Sequence, residues 1–242
     1  MLAAETPDEL RLLASEMEDR GCLGFLLSGG CDRAANVPLG RFAPAIADIK
    51  RNTKLIVSVH PGLIWTDEAA ELVEAGVDIF CIDIVQDPSV IKGVLGLDIP
   101  PKAYEEALAS LFQAGAERVV PHICAGLNGD ERSGERSAVE MVARYPISSL
   151  ALLSFIPTVG TRMAGSPIVS DDHLLEFVEH AVDTVSCPVT LGCMRPRGNP
   201  DLELRCCDAG IAGIAVPSAE TVRRLQRLGV TVEKKETCCS LV

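Results

Sequence analysis

With 242 residues, 48% of them hydrophobic and only 4% aromatic, the chain suffices for one large α/β domain or two small ones, with a core of Leu, Val, Ile and Ala. Its net charge of −12 argues against a nucleic-acid polyanion as partner, because neutralising phosphates takes clustered Lys and Arg. No apolar run approaches the roughly 18 residues of a membrane span, and the opening MLAAETPDEL lacks the basic and apolar regions of a signal peptide.

The first element in chain order is a helix, TPDELRLLASEMEDRG, with Thr6 as N-cap, Pro7 at the first helical position, Glu9 completing a capping box and Gly21 past its end. CLGFLLS follows as a strand and RFAPAIADIKRN as a helix. KLIVSVH is a strand, and TDEAAELVEAG a helix capped by Thr66 and ended by Gly76. DIFCIDI and PKAYEEALASLFQAG make the next strand and helix, then RVVPHI and SGERSAVEMVARY, then SLALLSF and SDDHLLEFVEHAVDTV. PVTLGC is a strand with a short helix at NPDLELRCCDAG, and IAGIAVP leads into the last helix, SAETVRRLQRLG.

Seven strands, each followed by a helix, predict right-handed βαβ crossovers and a parallel sheet. Eight such units close a TIM-type barrel of typically about 250 residues. Here a helix without its preceding strand comes first, so the expected fold is an incomplete TIM-type (βα) barrel of about seven parallel strands with the first strand missing. A doubly wound open sheet competes, but it usually announces itself with a GxGxxG turn, which is absent. No Pro-, Gly- or Ser-rich linker interrupts the series, so residues 1–229 read as one barrel domain and 230–242 as a tail carrying Cys238 and Cys239.

Chemistry in such a barrel gathers in the loops after the strands, and these loops are rich in special residues. In order they carry Ser28-Gly29-Gly30-Cys31, His60, Asp83, His122 with Cys124, Thr158-Val159-Gly160-Thr161, Cys193 with Arg195 and Arg197, and Pro217-Ser218. The turns leading into the strands, such as EDRG and KRNT, are plain. Gly29-Gly30 is either a tight turn or a place where backbone approaches a ligand, the latter favoured because the pair caps a buried strand. His60 and His122 are either loop-bonded histidines or members of a polar pocket. Asp83 is expected to face the pocket, since an unpaired carboxylate is costly to bury. Arg195 and Arg197 either clamp a carboxylate or phosphate or tie rim groups together.

The ten cysteines read as reduced thiols of a cytoplasmic protein. Cys22, Cys81 and Cys187 are expected in the core, and Cys206-Cys207 have no evident role. No CxxC pair or Cys/His spacing marks a metal site. Cys31, Cys193, Cys238 and Cys239 are candidate metal ligands only if separate segments bring them together, and unligated thiols are the favoured reading. None of the six lysines ends a strand, which disfavours a Schiff-base aldolase, and neither GxSxG nor HExxH occurs. The closing CSLV formally fits a prenylation box and is read as coincidence.

Together GFLLSGGCDR, VHPG, DIVQD, VVPHI, GERSAVEM, PTVGT, LGCMRPRG, GIAVPS and ETCC resemble the biotin-synthase-like branch of the radical S-adenosylmethionine (SAM) superfamily, nearest to archaeal-type lipoyl-synthase-like proteins. The likeness runs from about Thr6 to Cys239. It implies SAM as cofactor, with Ser28, Gly29, Gly30 and Cys31 at the loop that receives the SAM amino group and a cysteine in place of the family's acid. It implies that His122, Gly126 and Glu135 lie near the adenosyl part. His60, Asp83, Thr158, Gly160, Arg195 and Arg197, read from their places after strands, are the further candidates for cofactor binding. One departure is large: the CxxxCxxC motif that binds the family's 4Fe-4S cluster is absent, as is the strand before it. A shortened homologue, a trimmed chain and a misplaced start all fit Met1 just before a helix.

The expected function is therefore binding of SAM or a related small ligand, as a subunit or shortened form of a lipoyl- or biotin-synthase-like sulfur-insertion enzyme. The alternative is a non-catalytic ligand-binding or partner protein of that family without a cluster. A homo-oligomer or partner subunit is expected to cover open strand edges, and neither nucleic acid nor membrane is expected as partner.

Overall fold

Thr6 opens the first helix as its sequence demands. Its hydroxyl accepts the amide of Glu9 at 3.2 Å, and the Glu9 carboxylate accepts the amide of Thr6 at 3.0 Å, in this computed structural model, which describes residues 2–235. Along the chain run α1 (Pro7–Asp19), β1 (Gly24–Leu27), α2 (Ala43–Asn52), β2 (Ile56–Val59), α3 (Thr66–Glu74), β3 (Ile79–Asp83) and α4 (Pro88–Gly93). They are followed by α5 (Lys102–Gln113), β4 (Val119–Ala125), α6 (Glu135–Val142), β5 (Leu150–Ser154), α7 (Asp171–Thr184), β6 (Val189–Leu191), α8 (Pro200–Asp208), β7 (Gly213–Ile214) and α9 (Ala219–Arg227). Seven parallel strands with their helices make an α/β fold, an incomplete TIM-type barrel.

The chain divides into two compact units, Met1–Ile82 with Lys102–Val120, and Asp83–Pro101 with Pro121–Val242. In the first, β1 pairs with β2 from Gly24↔Ile56 to Leu27↔Val59, and β2 pairs with β3. Gly24 is required there, because a Cβ would lie 2.2 Å from the carbonyl oxygen of Ile56. Val57, Val59, Ile79 and Ile82 are fully buried, as are Ala45, Ile46, Leu72 and Leu108 from the helices. Each large aliphatic side chain so buried contributes about 1.5–3 kcal/mol. At the other end of the strands Lys50 Nζ donates to both oxygens of Asp78 and to the Leu55 carbonyl, while Asp78 accepts the Val57 amide at 2.7 Å.

In the second unit β4 pairs with β5 from His122↔Ala151 to Ala125↔Ser154, β5 with β6, and β6 with β7. Leu150, Ala151, Leu152 and Leu191 are fully buried on these strands, as are Val139, Val142, Val178 and Ala181 on the helices. Ser170 caps α7 by accepting the His173 amide, and Ser218 caps α9 by accepting that of Thr221.

Three local expectations change. Thr66 is the first residue of α3 rather than its cap: Trp65 occupies the cap position, and the Thr66 hydroxyl points to Ser110 Oγ at 3.3 Å. Helix α4 has no counterpart in the sequence reading. At six residues it is too short to show a period, and it forms because Asp87 accepts the Ser89 amide at 2.7 Å with Pro88 in the first turn. Cys22 is exposed rather than in the core, because it occupies the turn between α1 and β1. Among the described residues no helix is long and apolar enough to cross a membrane.

Candidate functional site

In the first unit the loop after β1 carries Ser28, Gly29, Gly30 and Cys31, all exposed. No described group donates to the carbonyls of these four residues. The Ser28 hydroxyl donates to the His60 carbonyl at 3.4 Å, so the loops after β1 and β2 meet here. A Cβ on Gly30 would find nothing within 4 Å, and one on Gly29 would only touch Val37 at 3.4 Å. The pair is thus open backbone at the end of a strand rather than a glycine forced by crowding.

That open segment is fixed at its far end. Asp32 accepts the amides of Ala34 and Asn36 through one oxygen, at 2.8 and 3.0 Å. The buried Asn36 side chain donates to the Leu63 carbonyl at 2.9 Å and to Glu68 at 2.8 Å, and the other Glu68 oxygen accepts the Gly40 amide. Backbone bonds from Val37 to Pro61 and from Leu63 to Ala35 complete the staple. It demands left-handed backbone at Ala35 (φ 63°) and Gly62 (φ 67°).

In the second unit the ends of β3 and β4 bring together Asp83, His122, Cys124, Gly126 and Glu135. Asp83 is exposed at the end of β3, and the Ile84 amide donates to the carbonyl of the buried His122. Glu135 is buried, yet its carboxylate is well used: it accepts the Gly126 amide at 3.3 Å and the Ser133 amide at 2.5 Å. Its contribution is to hold the β4–α6 loop. Burial, and then the charges of Asp83 and Glu135, push the Cys124 thiol up to about 12. A thiol so raised stays protonated near neutral pH. A narrow cleft runs between Ile84–Gln86 and Cys124, bounded by Leu127 and Glu135. At the end of β5, Ser154 Oγ is buried with no hydrogen-bond partner among the described residues.

The loop after β5 holds Thr158 and Gly160, both exposed, in a turn where the Thr161 amide and hydroxyl both donate to the Thr158 carbonyl. Arg195 takes the second of its two readings. Only 2% exposed, it donates to the carbonyls of Gly192, Ala215 and Val216 and to Glu203, all within the second unit. Its guanidinium is committed to holding loops together. Arg197 is exposed and donates to the Cys193 carbonyl at 3.2 Å.

The 4Fe-4S cluster finds no fit in the described residues. It needs three gathered thiolates, and among the described residues no group of three Cys, His, Asp or Glu side chains is arranged to hold a metal ion. Cys31 and Cys193 are exposed and belong to different units. Cys238 and Cys239 lie outside the described residues. Asn36, Glu68, Ser154 and Glu203 were missed by the sequence reading. Of these only Ser154, the polar residue closing SLALLS, carried a signal by which it could have been found.

No protein-family model matches the chain. Biotin synthase of Geobacter metallireducens is 27% identical over 175 residues, covering 71% of this chain and 51% of that protein. The chain therefore spans about half the length of the curated relative it matches. Among solved structures, HydG, a maturase of the FeFe-hydrogenase, aligns with a TM-score of 0.65 at 17% identity over 91% of this chain and 51% of its own. Methylornithine synthase (PylB) aligns with a TM-score of 0.63 at 15% identity over 94% of this chain and 73% of its own. The chain is thus similar in sequence to a biotin synthase, and it shares its fold with HydG and methylornithine synthase.

Proposed function

We propose that the chain binds SAM through the loop after β1, and that the described residues do so without a cluster of their own. The observation that carries this reading is the set of carbonyls at Ser28, Gly29, Gly30 and Cys31 to which no described group donates. An ammonium group has three donors and no acceptor, so a row of exposed carbonyls on a fixed loop suits the amino group of SAM. The likeness to lipoyl-synthase-like proteins, carried by DIVQD and LGCMRPRG, makes sulfur-insertion chemistry the activity of a larger assembly to which this chain would contribute the SAM-binding part.

Titration calorimetry of the full chain with SAM tests the proposal. One saturable site is expected, and Gly30→Val should weaken it at least ten-fold without lowering the melting temperature, since the new side chain meets open space. Absence of saturable binding overturns the reading. So would undiminished affinity in the folded variant. After anaerobic incubation with iron and sulfide the chain should stay colourless; about four irons per chain would instead establish a cluster-bearing enzyme.

A further inference from the structure

A second cleft in the second unit opens where α6 begins, and is lined by Arg132, Arg136, Ser137 and His173 together with the carboxyl-bearing Glu135 and Glu176. Helix α6 starts after Gly134, which is in the left-handed region (φ 81°) and offers no side-chain cap. The amides of Glu135, Arg136 and Ser137 therefore have no partner among the described residues, and the first intrahelical bond runs from Ala138 to Gly134. Unpartnered amides at a helix start attract anions through their dipoles.

His173 supplies an independent pointer to a ligand. Its side chain is 4% exposed, and Nδ1 lies 3.2 Å from Asp130 Oδ1, which fixes the ring. No described group bonds Nε2, and the His173 ring lines the cleft. With Nδ1 turned to Asp130, a protonated ring donates from Nε2 to an oxyanion, and a neutral ring accepts from an acidic hydroxyl. The acids nearby are engaged elsewhere. Glu135 accepts the amides of Gly126 and Ser133, Glu176 is paired with Arg132, and Asp130 also accepts the amide and hydroxyl of Ser170. Arg136, exposed in the first turn of α6, makes no ion pair among the described residues.

We propose that this cleft binds a phosphoryl group, as the free ion or as the terminal group of a small phosphate monoester. The helix-start amides, the Ser137 hydroxyl, the Arg136 guanidinium and His173 Nε2 would meet its oxygens. SAM carries no phosphoryl group, so this site and the SAM reading stand or fall separately.

Calorimetric or phosphorus-NMR titration of the full chain with inorganic phosphate, and in parallel with glycerol 3-phosphate, tests it. Saturable binding is expected, weakened at least ten-fold by Arg136→Glu and by His173→Gln, and unchanged by Arg223→Gln on the distant α9. Tighter binding of glycerol 3-phosphate identifies a monoester site; tighter binding of inorganic phosphate identifies a site for the free ion. No saturable binding of either probe overturns the proposal, as does binding that Arg136→Glu leaves intact. Arg136 is exposed and unpaired, so its variant keeps the test decisive even if His173→Gln fails to fold.

Discussion

Replacing Glu203 by alanine is expected to lower the stability of the folded chain by about 3–5 kcal/mol in chemical denaturation, the cost of stranding a buried charge. Arg195 is 2% and Glu203 4% exposed at the side chain, with 2.7 Å between them. Glu203 also accepts the Ser218 amide at 2.9 Å and the Thr221 hydroxyl, while Arg195 holds three carbonyls. Removing the carboxylate leaves the guanidinium with carbonyls but no counter-charge, and frees the start of α9. Arg195→Met with Glu203→Leu, which removes both charges, should recover most of the loss.

The same pair has a pH signature. Burial pushes the Glu203 carboxyl up, but the bonds from Thr221, Ser218 and Arg195 outweigh it and hold the group below its ordinary value of 4.5. A carboxyl depressed on folding stabilises the fold above its ordinary pKa, and this contribution fades as pH falls through the lower folded value. The stability gap between the natural chain and Glu203→Gln should therefore be full near neutral pH and shrink only below about pH 4.5. A gap that widened on acidification would contradict the assignment.

Gly62→Ala is expected to cost roughly 1–3 kcal/mol, the range for left-handed strain at a non-glycine residue, and to weaken SAM binding at least ten-fold. Its Cβ would fall 2.1 Å from the Ala35 carbonyl oxygen, and Gly62 already has φ 67°. The two loops must part, and with them goes the bond from the Leu63 amide to Ala35 that anchors Ser28–Cys31. Gly62 is not itself assigned a ligand contact, so lost affinity would show that the staple sets the loop's shape. A stable variant with full affinity would show that Ser28–Cys31 holds its shape without it.

The local elements were legible because their signals are short-range. Thr6, Pro7 and Glu9 lie within one turn, and Gly21 and Gly76 take the left-handed conformation that a helix end invites. The α3 start moved by one residue because Thr66 serves a contact with α5 that nothing near it in sequence announces. Arg195 was left between two readings because its carbonyl partners at Ala215 and Val216 are twenty residues away in sequence, brought near only by the β6–β7 pairing. Asn36 and Glu68 were invisible for the same reason, being 32 positions apart. What the strand-end residues did reveal was composition: glycines, histidines and thiols placed after strands, and in their combination the family likeness.

The most direct test of SAM recognition is carbonyl-resolved NMR of the isotope-labelled chain titrated with SAM. Saturable carbonyl carbon shifts at Ser28, Gly29, Gly30 and Cys31 are predicted. Saturation with those carbonyls unmoved would contradict the assignment, whatever affinity accompanied it.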